Sequence, residues 1–200
     1  MDMDHTEKYT RIKRSIDILK ANKFGIKILL ITVVSALLLF YIFWSDSFLT
    51  KLSNLLDPEG LWDFLGGVFT LFIVLIIGVI AHELIHGIFW SLFTKKGFSS
   101  IKFGILKQYF TPYCHCKEPL KVKHYIIGAI MPAIILGFIP IIAGLIYGLL
   151  SWLLFGIFFT AAAGGDFLMI NLLRKEHMND WTKDHPSEPG YYIYHRHIQK

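Results

Sequence analysis

The sequence predicts an all-α polytopic membrane protein of four transmembrane helices, with both termini on the cytosolic side and a short β-hairpin between helices two and three. Three observations carry that fold class. Apolar residues make up 54% of the 200 positions and aromatics 16%, far above a soluble domain of this length. Four apolar runs approach or exceed the ~20 residues that cross a bilayer as a helix. Lys and Arg crowd the segments before the first run, between the second and third, and after the fourth, whereas the loop between the first and second holds only Lys51. By the positive-inside rule, this places both termini in the cytosol.

In chain order, residues 1–24 are polar and basic, with Tyr9, Ile12, Ile16 and Leu19 at helical spacing. They read as a cytosolic amphipathic helix lying on anionic headgroups, or as a solvated basic tail. The spans follow at 25–44, 61–93, 125–149 and 151–173, with residues 45–60 as a loop and 175–200 as a cytosolic tail. The Gly66-Gly67 end of the second span is expected to bend or to lie outside the hydrocarbon, and Pro132 and Pro140 to kink the third. Gly144-x-x-x-Gly148 reads as a helix-packing motif. In the 94–124 connection, Ile101 to Ile105 alternates as a strand does and Gln108 to Cys116 can return beside it, giving an edge able to hold an extended peptide. The net charge of +5 sits in these loops and tails, so it reports on topology and not on nucleic acid. The long basic N-terminal region, the span-length first apolar run and the lack of an A-x-A site argue against a cleavable signal peptide.

Inside the second span stands His82-Glu83-Leu84-Ile85-His86, the H-E-x-x-H pattern. One helical turn separates the two imidazoles, so both can reach a single Zn2+, while Glu83 can touch a water at the ion without ligating it. The flanks, Val74 to Ile80 and Ile88 to Phe93, are almost wholly apolar. Charged side chains near the centre of a membrane helix cost about 2–3 kcal/mol each, which marks a functional site.

A catalytic zinc keeps three protein ligands and one open position. Asp166 is the only carboxylate of the fourth span and stands eight residues before Arg174, while His86 stands nine before Lys95. At about 1.5 Å per residue, both lie about 12–14 Å below the same boundary. Gly164, Gly165 and the alanines before them would let that helix approach closely. Asp180, Asp184, His177, His185, His115 and His124 are alternatives that would have to fold back into the membrane. Cys114-His115-Cys116 is a weak metal motif, and two cysteines in a cytosolic segment read first as reduced thiols. Asp184-His185-Pro186 reads first as a turn.

These residues resemble the intramembrane zinc metalloproteases of the site-2 protease type. The resemblance rests on H-E-x-x-H followed by a basic connection, on Gly128-Ala-Ile-Met-Pro132 opening the third span, and on Asp166. More closely, residues 60–194 are similar to a group of small bacterial membrane zincin peptidases, through Gly165-Asp166 and through Asp184-His185-Pro186 leading to Gly190-Tyr191. The resemblance implies one zinc held by His82, His86 and Asp166, Glu83 as the catalytic base, and a membrane-protein or peptide substrate entering as an unwound transmembrane segment. The chain departs from the site-2 pattern in having Gly-Gly before the Asp, Phe167 after it and Asn171 downstream. The expected protein is a multi-pass metallopeptidase of the bacterial cytoplasmic membrane, in contact with lipid and not with nucleic acid. The alternatives are a zinc-binding membrane protein without peptidase activity, as a scaffold or in metal handling, and a zinc hydrolase of a non-peptide membrane substrate.

Overall fold

The structure, a computed structural model, describes residues 9–15, 18–56, 60–106, 111–185 and 190–196. Among them three helical spans are long and apolar enough to cross a membrane: Lys23–Leu55, Leu61–Ser91 and Val122–Tyr147. A fourth forms if the helix pair Leu150–Ala162 and Gly164–Leu173, bent by 47°, counts as one. Their outer faces are apolar and bare, with Leu30, Phe43, Trp62, Phe69 and Ile77 all more than half exposed. Water would not tolerate so continuous an apolar surface, and lipid does. The protein is therefore a multi-pass membrane protein.

The chain divides into two compact units. One comprises residues 25–82 and 132–164. Helix α1, Ile18–Leu56, runs well past the expected end of the first span and turns residues 45–56 from the expected loop into helix. Its one non-helical residue is Trp44 (φ −130°, ψ 30°), whose indole N–H donates to the Leu145 carbonyl at 2.9 Å. Beyond that kink, Phe48 and Leu52 pack on a core of Ala36, Phe40, Ile141, Leu150, Leu153 and Ile157, so burial extends the helix where polar residues suggested a loop. Helix α2, Leu61–Ser91, is unbroken and runs through Gly66-Gly67. Its residues up to His82 belong to this unit and those from Glu83 to the other.

Pro132 and Pro140 do not break the third span. Helix α3, Val122–Pro132, passes through a π-helical stretch, Ala133–Phe138, into α4, Ile139–Tyr147. The wider turn absorbs the bond that a proline removes. Helix α5, Leu150–Ala162, packs on this stretch backbone to backbone: a Cβ on Gly156 would stand 2.5 Å from the Gly137 carbonyl, and one on Gly144 2.7 Å from Leu153 N. Gly148 packs differently from the expected motif, since at φ +66° it closes α4 in the left-handed conformation.

The other unit comprises residues 1–24, 83–131 and 165–200 and corrects the all-α expectation. Strands β2, Ile101–Leu106, and β3, Thr111–Cys116, form the expected hairpin. In addition, β1 (Tyr9–Ser15), β4 (Leu120–Lys121), β5 (Trp181–Asp184) and β6 (Gly190–Arg196) form a four-stranded antiparallel sheet in the order β1-β6-β5-β4. Residues 9–15 are thus a strand and not a helix, and the expected tail supplies two more. Ile12 pairs with Ile193 and packs on a core that includes Trp90, Leu120, Val122, Tyr125, Leu173 and Tyr191. Helix α6, Gly164–Leu173, precedes β5.

Candidate metal centre

His82 and His86 both lie on α2, 7% and 4% exposed. Asp166 sits in the first turn of α6, where the helix dipole favours a carboxylate. The expected straight fourth helix breaks at Ala163, between α5 and α6, so Asp166 belongs to a short bent helix and not to the middle of a rod. One ligand atom from each of His82, His86 and Asp166 lies within 4.8 Å of the other two. Among the described residues these are the one group of His, Cys, Asp or Glu side chains close enough to hold a metal. Glu83, next to His82, is half-buried.

The donor chemistry fits zinc. His86 Nδ1 is 2.9 Å from the Gly128 carbonyl. A carbonyl oxygen only accepts, so Nδ1 carries the hydrogen and the Nε2 lone pair points the other way. Nε2 lies 3.3 Å from Asp166 Oδ1. Two donors on a tetrahedral zinc with bonds of about 2.0–2.1 Å stand about 3.3–3.4 Å apart. An ion pair would show the same separation; what makes the group a metal candidate is the third donor, His82, within the same reach.

The surroundings of His86 were not foreseen. Trp90 stacks on it, with centroids 5.0 Å apart and planes 13° from parallel. The Trp90 indole N–H donates to the Tyr125 carbonyl at 3.0 Å, and the two rings lie 4.9 Å apart. A Cβ on Gly128 would stand 2.1 Å from Trp90 Cδ1, so only glycine allows the indole and the acceptor carbonyl to serve His86 together. The sequence held a signal for Trp90: positions 82, 86 and 90 share one helical face. Gly87 gives the hairpin similar access, since a Cβ there would meet Phe103 at 2.6 Å and Ile101 at 3.1 Å. Phe103 pairs with Cys114 and Ile101 with Cys116, so these four side chains share the face laid on α2 beside His86.

The alternative ligands have other partners. Asp180 Oδ2 is 2.7 Å from His195 Nδ1, His177 Nδ1 accepts the Asn179 N–H, His115 faces Asp184 at 3.5 Å, His124 stacks on Phe93 and the His185 ring lies tilted against Tyr192. Asp184 ends β5, and Pro186 lies outside the described residues. Cys114 and Cys116 are free thiols. Burial pushes Cys114 up, with the nearby Glu83 carboxylate adding to it, and burial pushes Cys116 up to about 12. Both are therefore neutral thiols with little ligand character.

Residues 75–180, more than half of the chain, match the family model described as Putative zincin peptidase. The chain belongs to that family. The matched span of this zincin peptidase relative contains His82, Glu83, His86 and Asp166. Family and donor group together point to a zinc metallopeptidase. Neither the curated proteins nor the solved structures contain a match to the chain.

Proposed function

We propose that this protein is an intramembrane zinc metallopeptidase that hydrolyses peptide bonds of membrane-embedded substrates, with His82, His86 and Asp166 as the zinc ligands. The observation that carries the reading is the three-donor group, two buried histidines and a half-buried aspartate, on helices apolar enough to span a bilayer. Zinc, when bound, lowers the pKa of a water molecule and polarises a substrate carbonyl. Glu83 accepts the proton of the attacking water and delivers it to the leaving amine. Gly128 and Trp90 hold the His86 ring in the tautomer and plane that ligation needs. The outer edge of the β2–β3 hairpin, seated over Gly87 beside His86, holds the substrate as an added strand once its own helix has unwound.

All strands among the described residues come from before α1, between α2 and α3, or after α6. With four spans, those three segments share one side of the membrane. Their Lys and Arg content supports reading that side as the cytosol, from which water would reach the site; the membrane we propose is a bacterial cytoplasmic one. The test is Glu83→Gln in purified full-length protein: zinc content stays at wild-type level while cleavage of a membrane substrate falls by about 10²–10⁴-fold. Retained cleavage, or a wild type that binds no zinc, refutes the proposal.

A further inference from the structure

The carboxylate of Asp184 has no part in the metal group, yet it joins three elements of one unit. It belongs to the end of β5 and its side chain is 12% exposed. Oδ1 accepts the Tyr125 hydroxyl of α3 at 2.5 Å. Oδ2 accepts the Cys116 N–H of β3 at 3.2 Å and lies 3.5 Å from His115 Nδ1 on the same strand. Burial raises the Asp184 carboxyl above its ordinary value while the Tyr125 and Cys116 bonds favour the ionised form, whose hydrogen bonds are about twice as strong as neutral ones. A buried hydroxyl with one such partner is rotationally fixed.

What Asp184 fixes leads to the centre by contacts alone. Tyr125 is 5% exposed, its ring lies against Trp90 and its carbonyl accepts the Trp90 N–H. Trp90 stacks on His86. One turn along α3, Gly128 supplies the carbonyl that takes the His86 Nδ1–H. Both supports of the His86 imidazole therefore depend on where the first turns of α3 stand, and Asp184 sets that through Tyr125. The same carboxylate holds the base of the hairpin, whose other strand carries Phe103 onto Gly87.

We infer that Asp184 is a positioning residue for this centre, one that fixes the His86 imidazole through Tyr125 and Trp90 while anchoring the substrate-binding hairpin to the same point. This inference rests on the metallopeptidase reading. Its effect falls on ligand geometry: outer contacts of a metal-binding histidine typically govern about 10–100-fold in metal affinity.

The test uses the full-length protein in detergent, loaded with zinc for chelator competition or with Co2+ as a spectroscopic probe. Asp184→Asn keeps the shape but weakens the acceptor, and Tyr125→Phe removes only the hydroxyl. Each is expected to weaken zinc binding by about tenfold and to change the Co2+ d–d absorption in the same direction. The double variant is expected to be no worse than the more affected single one, because both break one link. If Asp184→Asn fails to fold, Tyr125→Phe decides. A folded Tyr125→Phe or Asp184→Asn with wild-type zinc affinity and an unchanged Co2+ spectrum overturns the inference, even if its melting temperature falls. A wild type that binds neither ion sinks the metallopeptidase reading instead, so the two failures remain distinct.

Discussion

Replacing Gly128 with alanine tests the packing of the proposed centre with one methyl group. That methyl would stand 2.1 Å from Trp90 Cδ1 and 2.3 Å from Nε1, so the indole must retreat by more than an ångström to reach ordinary contact. It cannot do so freely, because it is stacked on His86, lies tilted against the Tyr125 ring and donates to the Tyr125 carbonyl. Overpacking costs about 1–3 kcal/mol, and pulling the buried indole N–H from its acceptor costs about 1–3 kcal/mol more. Alanine returns only about 0.5–1 kcal/mol through better helix propensity. The net expectation is a loss of about 2–4 kcal/mol, with the melting temperature lower by more than about 5 °C. Zinc affinity should also weaken on the order of tenfold, since the displaced ring lies on His86, one of the proposed ligands. Tryptophan fluorescence melting and chelator competition read the two effects. A Gly128→Ala protein that melts with the wild type and holds zinc as tightly would show that the wedge of Gly128, Trp90 and His86 does not exist.

Two further expectations concern protons outside the spans. The Glu118 carboxylate accepts the Ser100 hydroxyl at 2.6 Å and the Lys95 and Lys96 N–H groups at 3.0 and 3.2 Å, and these bonds, that of Ser100 foremost, hold it below its ordinary 4.5. A depressed folded value means that this stability is present above 4.5 and is lost as pH falls through the folded value. Glu118→Gln should flatten that part of the acid limb in melting curves taken from neutral pH downward, and an unchanged limb would refute the assignment. The Cys116 thiol, raised by burial from 9.0 to about 12, should alkylate about a thousandfold more slowly than a free thiol in the folded protein. Its contribution to stability is complete below 9.0 and is lost as pH rises toward about 12; labelling at the rate of a model thiol would contradict this.

The spans and the histidine pair were legible because each is a local pattern, an apolar run or a four-residue interval. Asp166 was legible for a weaker reason: residues counted from a charged boundary happen to give its level even though the helix bends at Ala163. The sheet was not legible. Tyr9, Ile12, Ile16 and Leu19 suit a helix by spacing, and the partner that makes residues 9–15 a strand, Ile193 opposite Ile12, is remote in the chain. Residues 45–56 looked like a loop by polarity, but Phe48 and Leu52 found a core to cover. The contacts behind His86 combine α2, α3 and β5, and no single window of sequence contains them.

Strand β1 can find its partner β6 only after the described helices, which all lie between the two strands, have been made. Until β6 exists, residues 9–15 have no strand to pair with, and β4 depends on β5 in the same way. Strands β5 and β6 therefore act as a closing stitch, joining β1 and β4, which precede α1 and α3 in the chain. By that step Asp166 has already emerged, but Asp184 arrives with the stitch itself. On the proposed role of Asp184, the contacts behind His86 are therefore complete only once β5 has been made and has met α3 and β3.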